Sequence, residues 1–259
     1  MEIKLYQVDA FASRCFEGNP AAVCPLEHWL DDALMQAIAA ENNLAETAFF
    51  VPVDAGFEIR WFTPACEVDL CGHATLASAW VLFNCLDYGA ERVTFQSRSG
   101  PLQVSRQGDW LELDFPAVTP APCETPPALK SAFSVEPRAC LCGDDYLLVF
   151  DREQAVIGAQ PDLEKLRSLG ARGVIITAPS QRYDFVCRFF APKLGIDEDP
   201  VTGSAFTQLI PYWAARLEKA KLSAKQVSSR GGEVGCELAG ERVKIRGRAV
   251  LYLVGSIQI

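Results

Sequence analysis

The stretch that decides the fold reads Glu198-Asp199-Pro200-Val201-Thr202-Gly203-Ser204-Ala205. Two adjacent carboxylates, a proline turn and two hydroxyls stand directly before a long apolar segment. Residues of this kind open a helix. The first N–H groups of a helix lack intrahelical partners and sit at the positive end of its dipole, so they favour an anion. A second opening of the same kind lies upstream, at Cys71-Gly72-His73-Ala74-Thr75, and it too leads into an apolar run. Two matched openings in one chain predict two related lobes facing a shared ligand.

Outward from these openings, both halves follow one plan of strands, a helix behind a Gly turn, and a strand meander. In the first half, strands are expected at 3–11, 21–24, 47–52 and 57–62, with a helix over 31–43 that starts on Asp31-Asp32. The helix over 72–84 follows, then short strands at 93–96, 102–106 and 110–115. Between 74 and 83 only Thr75 and Ser78 are polar, and a helix apolar all round must be surrounded by protein. Pro116, Pro120, Pro122, Pro126 and Pro127 crowd together and mark a linker.

In the second half, strands are expected at 138–142, 146–150, 173–178 and 183–190, and short helices at 152–159 and 162–169. A long helix over 203–219 carries Phe206, Leu209, Ile210, Trp213 and Leu217 at helical spacing, with Pro211 inside it. A meander at 226–229, 233–237, 242–246 and 249–254 closes the chain. The fold class is α+β, with two pseudo-symmetric lobes, each a curled mixed sheet around a central helix. The expected lobes are 1–117 and 118–259, with the last strand free to return to the first lobe. A dinucleotide-binding fold is disfavoured, because no G-x-G-x-x-G links an early strand to a helix.

The 259 residues are long enough to bury a real core. A net charge of −9 argues against nucleic-acid or anionic-membrane partners, which require basic patches. The apolar run at 74–83 is about half of what a transmembrane helix needs, and the alternating start Met1 to Val8 is strand-like, so a cytoplasmic protein is expected. Ten cysteines without a C-x-x-C pair read mainly as small buried residues. With His28 and His73 the only histidines, a structural zinc site is not expected.

The chemistry-bearing candidates are few. Glu46 stands where a helix hands over to a strand, flanked by Leu44, Ala45, Ala48 and Phe49. Apolar surroundings disfavour a charged carboxylate, which suits a general base; a surface glutamate at a helix end fits the same spacing. His73 reads as a donor or acid partner to Glu46, or as a core histidine. Cys71 reads as a thiolate base stabilised at a helix start, or as a small buried residue. Asp199 suits an N-cap and Glu198 a first-turn charge. Thr202, Gly203 and Ser204 offer N–H groups and hydroxyls to an anion. Asn19 is most simply a turn residue, and Arg230 lies in a turn from which it can reach a ligand carboxylate.

Taken in order, seven segments resemble the PhzF-like family of phenazine-biosynthesis isomerase relatives, within the diaminopimelate-epimerase-like fold. They are Asp9-Ala10-Phe11, Gly18-Asn19-Pro20-Ala21-Ala22-Val23, Asn43-Leu44-Ala45-Glu46-Thr47, Phe62-Thr63-Pro64, Cys71-Gly72-His73-Ala74-Thr75, Glu198 to Ala205, and Ser229-Arg230-Gly231-Gly232. The resemblance implies two barrel-like lobes with the site in their cleft, no metal and no organic cofactor. It implies that Glu46 moves a proton between carbons of a small anionic metabolite, with His73 and Asp199 as partners. Asn19, Cys71, Gly72, Thr202, Gly203, Ser204 and Arg230 would contact the substrate, and the protein would be a homodimer.

Two departures stand out. Many relatives carry His where this chain has Phe206. Cys71 occupies the place of the first catalytic thiol of the epimerases, while the second should fall near Thr202 and is absent. Two-thiol racemisation is therefore disfavoured. A one-base epimerase or dehydratase using Cys71 stays open, as does a non-catalytic relative that binds a metabolite or a protein.

Overall fold

The computed structural model describes residues 1–259. It divides into two compact units, Met1–Asp114 with Arg246–Ile259, and Phe115–Ile245.

In the first unit, β1 (Glu2–Ala10) runs antiparallel to β2 (Asn19–Pro25). Helix α1 (Asp32–Asn42) then crosses to β3 (Glu46–Val53), which lies parallel to β2. The antiparallel strand β4 (Gly56–Phe62) continues the sheet, with the short β5 (Glu67–Val68) beside it. Helix α2 (Gly72–Cys85) comes next, followed by β6 (Arg92–Ser97), β7 (Gly100–Gln107) and β8 (Trp110–Pro116). The C-terminal strand β18 (Ala249–Gln258) pairs antiparallel with β1.

Helix α2 is the core of this unit. It is buried from Gly72 to Ala79 and again from Val81 to Phe83, against β1, β2, β3 and β7. Its two polar side chains need no outside partner. Thr75 and Ser78 each donate a hydroxyl hydrogen bond to the carbonyl one turn back, those of Cys71 and Ala74. Burial of Leu76, Val81, Leu82 and Phe83 contributes about 1.5–3 kcal/mol per side chain.

The second unit starts with β9 (Ala121–Pro122) and α3 (Pro127–Ala132), both inside or directly after the segment expected to be a plain linker. Proline explains the helix. Pro127 fills a first-turn position, where a missing N–H costs nothing. Strands β10 (Ala139–Cys142) and β11 (Tyr146–Val149) form a hairpin, and α4 (Glu153–Ile157) and α5 (Leu163–Arg167) follow. Then come β12 (Val174–Pro179), β13 (Phe185–Ala191) and β14 (Ile196–Asp199).

The long helix begins later than the sequence suggests. Gly203–Ala205 form a 3-10 turn, and α6 runs from Phe206 to Leu217. The left-handed Glu218 closes it. Pro211 cannot donate to the Thr207 carbonyl one turn back, and that carbonyl accepts instead from the Val118 N–H at 3.0 Å. The proline-rich segment thus satisfies the group that the helix proline leaves over.

Strand β15 is Lys221–Gln226, not 226–229 as expected. Its alternation of buried Leu222, Ala224 and Gln226 was concealed by flanking lysines that read as a helix tail. Strands β16 (Gly232–Ala239) and β17 (Arg242–Gly247) complete the unit. No helix is long and apolar enough to cross a membrane.

Candidate active site

Three local devices assemble the cluster in the first unit. A tight loop between β1 and β2 delivers Asn19. Buried Asp9 accepts the N–H of Phe16, a residue of positive φ. Gly18 has φ +65, and a Cβ there would lie 2.1 Å from the Ala10 carbonyl oxygen, so only glycine fits. Asn19 is therefore the first residue of β2, opposite Ala10, and not the turn residue expected.

The second device is the end of α1. Asn43 adopts the left-handed conformation and caps onto the Ala39 carbonyl, and two residues later Glu46 begins β3. Parallel register places Glu46 beside Ala21, so Asn19, two residues earlier on β2, shares its face of the sheet. The third device is the start of α2, where the extended Cys71 leads into Gly72 and His73. Because α2 packs on β2 and β3, His73 comes to rest against Asn19 and Glu46.

The resulting order is a chain of contacts through the imidazole. Cys71 Sγ is 3.5 Å and Asn19 Nδ2 3.2 Å from His73 Nδ1. On the opposite side of the ring, Nε2 lies 3.1 Å from Glu46 Oε2. That second contact is an ion-pair distance with a bent approach, since neither atom completes a well-aligned hydrogen bond. Glu46, Cys71 and His73 are all buried.

Burial works against an imidazolium at His73, but the Cys71 sulphur and the Glu46 carboxylate outweigh it. The ring is held well above the usual histidine range. Glu46 is the cause that matters at neutral pH, because Cys71 is then a neutral thiol. Burial, followed by the charge of Glu46, pushes the Cys71 thiol up to about 11. His73 and the Ala74 N–H pull the other way and lose. The thiolate stabilisation expected at a helix start is therefore overridden.

The three side chains offer ligand atoms within 4.8 Å of one another. Their layout does not favour chelation. Cys71 and Glu46 approach different ring nitrogens, whose lone pairs diverge, so an ion on either nitrogen faces one of them well and the other poorly. The arrangement suits movement of a proton between Glu46 and a carbon acid, with His73 behind the carboxylate.

The second unit holds the other expected residues, and its two carboxylates point to separate tasks. Glu198 is not a first-turn helix charge. It receives Arg188 in a two-pronged pair at 2.7 and 2.8 Å. The same guanidinium donates to the carbonyls of Val156 and Ala159 and lies over Phe190. Asp199 is the last residue of β14 and not a helix N-cap; its carboxylate accepts the Thr202 hydroxyl.

Thr202 has already committed its N–H, which donates to Gln226 Oε1 at 2.9 Å. Gln226 Nε2 in turn donates to the Asp199 carbonyl at 2.7 Å. Gly203 and Ser204 keep N–H groups within the first helical turn, where no intrahelical carbonyl is available. Ser204 Oγ accepts from Arg172 Nη2 at 3.0 Å, and Arg172 also pairs with the fully buried Asp145. Arg230 lies in the bend between β15 and β16. Phe206 is fully buried beside Phe185, which stacks on Trp213.

Sequence spacing missed Arg172, Asp145 and Gln226. None belongs to a local pattern, and each acts through a partner distant in the chain. The nearest available signal was the alternation that makes Gln226 a buried strand residue.

Residues 8–255 match the family model for phenazine biosynthesis-like protein. The chain is similar to an uncharacterized isomerase of Pseudomonas aeruginosa, at 54% identity over the whole of both chains. A phenazine biosynthesis protein of the PhzF family from Enterococcus faecalis superposes with a TM-score of 0.98, at 47% identity and full coverage of both chains. A protein described as a predicted epimerase, also from Pseudomonas aeruginosa, superposes with a TM-score of 0.80 at 27% identity, covering 99% of each chain.

Proposed function

We propose that this chain, which belongs to the phenazine biosynthesis-like family, is an isomerase that moves a proton between carbons of a small carboxylate-bearing metabolite. The observation that carries this reading is the buried Glu46 carboxylate, 3.1 Å from His73 Nε2 at the start of α2. Glu46 takes a proton from the carbon next to an electron-withdrawing group. The same carboxyl group, now a neutral acid, returns the proton at another carbon. His73 steadies the carboxylate before proton uptake, and proximity to a positioned base supplies about 10²–10⁴-fold.

Asn19, Cys71 and Gly72 are assigned to substrate contact in the first unit. Asp199, Thr202, Gly203, Ser204 and Arg230 are assigned the same role from the second, with the hydroxyls and first-turn N–H groups meeting the anionic end. No metal and no organic cofactor is required by this chemistry. A homodimer is part of the reading. The run Tyr252-Leu253-Val254 on β18 stays exposed, with Phe16 against Tyr252, and is apolar surface that a second copy would cover. A reducing cytoplasm suits ten cysteines that all stand as free thiols.

Replacement of Glu46 by Gln tests the assignment. Turnover should fall by about 10³-fold or more while the dissociation constant of the bound acid changes little. Unchanged turnover would refute it. The alternative is a reaction that uses Cys71, favoured only by its contact with His73 Nδ1; alkylation of Cys71 with loss of activity and protection by substrate would support that instead.

A further inference from the structure

Cys123 and Cys140 lie far along the chain from the Glu46 cluster and have no part in the proposed reaction. Strand β9 pairs antiparallel with β10, with Pro122 opposite Leu141 and Ala121 opposite Cys142. The next position places Cys123 opposite Cys140, and the Cys123 N–H donates to the Cys140 carbonyl at 3.1 Å. Their sulphurs are in contact at 3.5 Å. Residues facing each other across antiparallel strands have Cα atoms about 4.5–5.5 Å apart, inside the window that a disulfide needs. Bond formation then requires side-chain rotation and little backbone movement.

We propose that Cys123 and Cys140 form an oxidant-responsive thiol pair, which peroxide converts to a disulfide that staples β9 to β10. Cys123 is half-buried and takes the oxidant, whereas Cys140 is buried and resolves the product. In the first step the Cys123 sulphur attacks one oxygen of hydrogen peroxide, giving a sulfenic acid and water. In the second the Cys140 sulphur displaces the sulfenic hydroxyl, which leaves as water with the Cys140 proton. Two thiols lose two hydrogens and two electrons to one peroxide, and two waters form.

The order of events follows from exposure and acidity. Burial pushes the Cys140 thiol up to about 12, so it is a poor first target for an oxidant in solution. Once Cys123 is a sulfenic acid, contact distance compensates for that low acidity. Cys142, two residues along β10 and on the same face, does not close a three-sulphur metal cluster with the pair. The bond would close a loop around α3 and fix the proline-rich segment to the sheet of the second unit.

The test is mild peroxide treatment of the reduced full-length protein, followed by trypsin without reduction. Cleavage after Arg106, Lys130, Arg138 and Arg152 separates peptide 107–130, which holds Cys123, from peptide 139–152, which holds Cys140 and Cys142. The expected result is one species joining these two peptides, lighter by two hydrogens, retained in Cys142→Ser and abolished in Cys140→Ser. The Cys140→Ser variant should hold Cys123 as a sulfenic acid trapped by dimedone. Thiols titrated per chain should fall by two, and the midpoint of thermal unfolding should rise by roughly 5 °C and return with dithiothreitol. A cross-link lost in Cys142→Ser, or peroxide that oxidises exposed Cys66 while 107–130 and 139–152 stay separate, would overturn the proposal.

Discussion

At the start of α2, Glu46, Cys71 and His73 are buried against one another, and two of them are displaced from their ordinary acidities. At the start of α6, the neighbouring carboxylates each have a dedicated partner. Glu198 has Arg188, Asp199 has the Thr202 hydroxyl, and Asp145, one strand away, has Arg172. Both helices open with glycine and small polar residues. The first opening keeps titratable groups in strained company, and the second settles its charges into a scaffold of hydroxyls and N–H groups. Similar local sequence can thus serve proton transfer in one place and positioning in another, depending on what the sheet beneath supplies.

The largest effect that would break this comparison concerns stability. Arg188→Met leaves Glu198 with no cation and removes the donor to two loop carbonyls, so urea unfolding should show a loss of about 3–5 kcal/mol. Glu46→Gln should cost about 1 kcal/mol or less at pH 8, because an imidazole can shed its proton where a guanidinium cannot. Equal losses in the two variants would erase the distinction between a structural and a working carboxylate.

A smaller effect sharpens the scaffold side. Thr202→Val removes the hydroxyl between Asp199 and Gln226, and should cost about 1–2 kcal/mol in the same assay. A still smaller one follows from His73. Its folded value is raised, so its contribution to stability is fully present below the unfolded value of 6.5 and is lost as pH rises from there through the folded value. Wild type should therefore lose stability over that window at up to about 1.4 kcal/mol per pH unit, and His73→Gln should flatten the slope. The smallest is Pro211→Ala, expected within about 1 kcal/mol of wild type, because the Thr207 carbonyl already has the Val118 N–H.

Features carried by short-range pattern were legible in the sequence. The apolar run behind Gly72 announced a buried helix, and the segment from Asn43 to Glu46 placed a carboxylate at a strand start, as the αL cap at Asn43 now explains. The late start of α6, the register of β15 and the helix beginning at Pro127 escaped, because a 3-10 turn, flanking lysines and clustered prolines each imitate another element. The roles of Asn19, Glu198 and Asp199 changed once partners were known. Asn19 meets His73 only through the β2–β3 register, and Arg188 comes from a neighbouring strand that no local motif connects to Glu198.

The central claim is that Glu46, and not Cys71, handles the proton. Solvent-deuterium incorporation into a panel of small carboxylates, followed by mass spectrometry with wild type, Glu46→Gln and Cys71→Ser, tests it most directly. The account predicts label with wild type and with Cys71→Ser, and none with Glu46→Gln. Label that persists in Glu46→Gln and disappears in Cys71→Ser would contradict it.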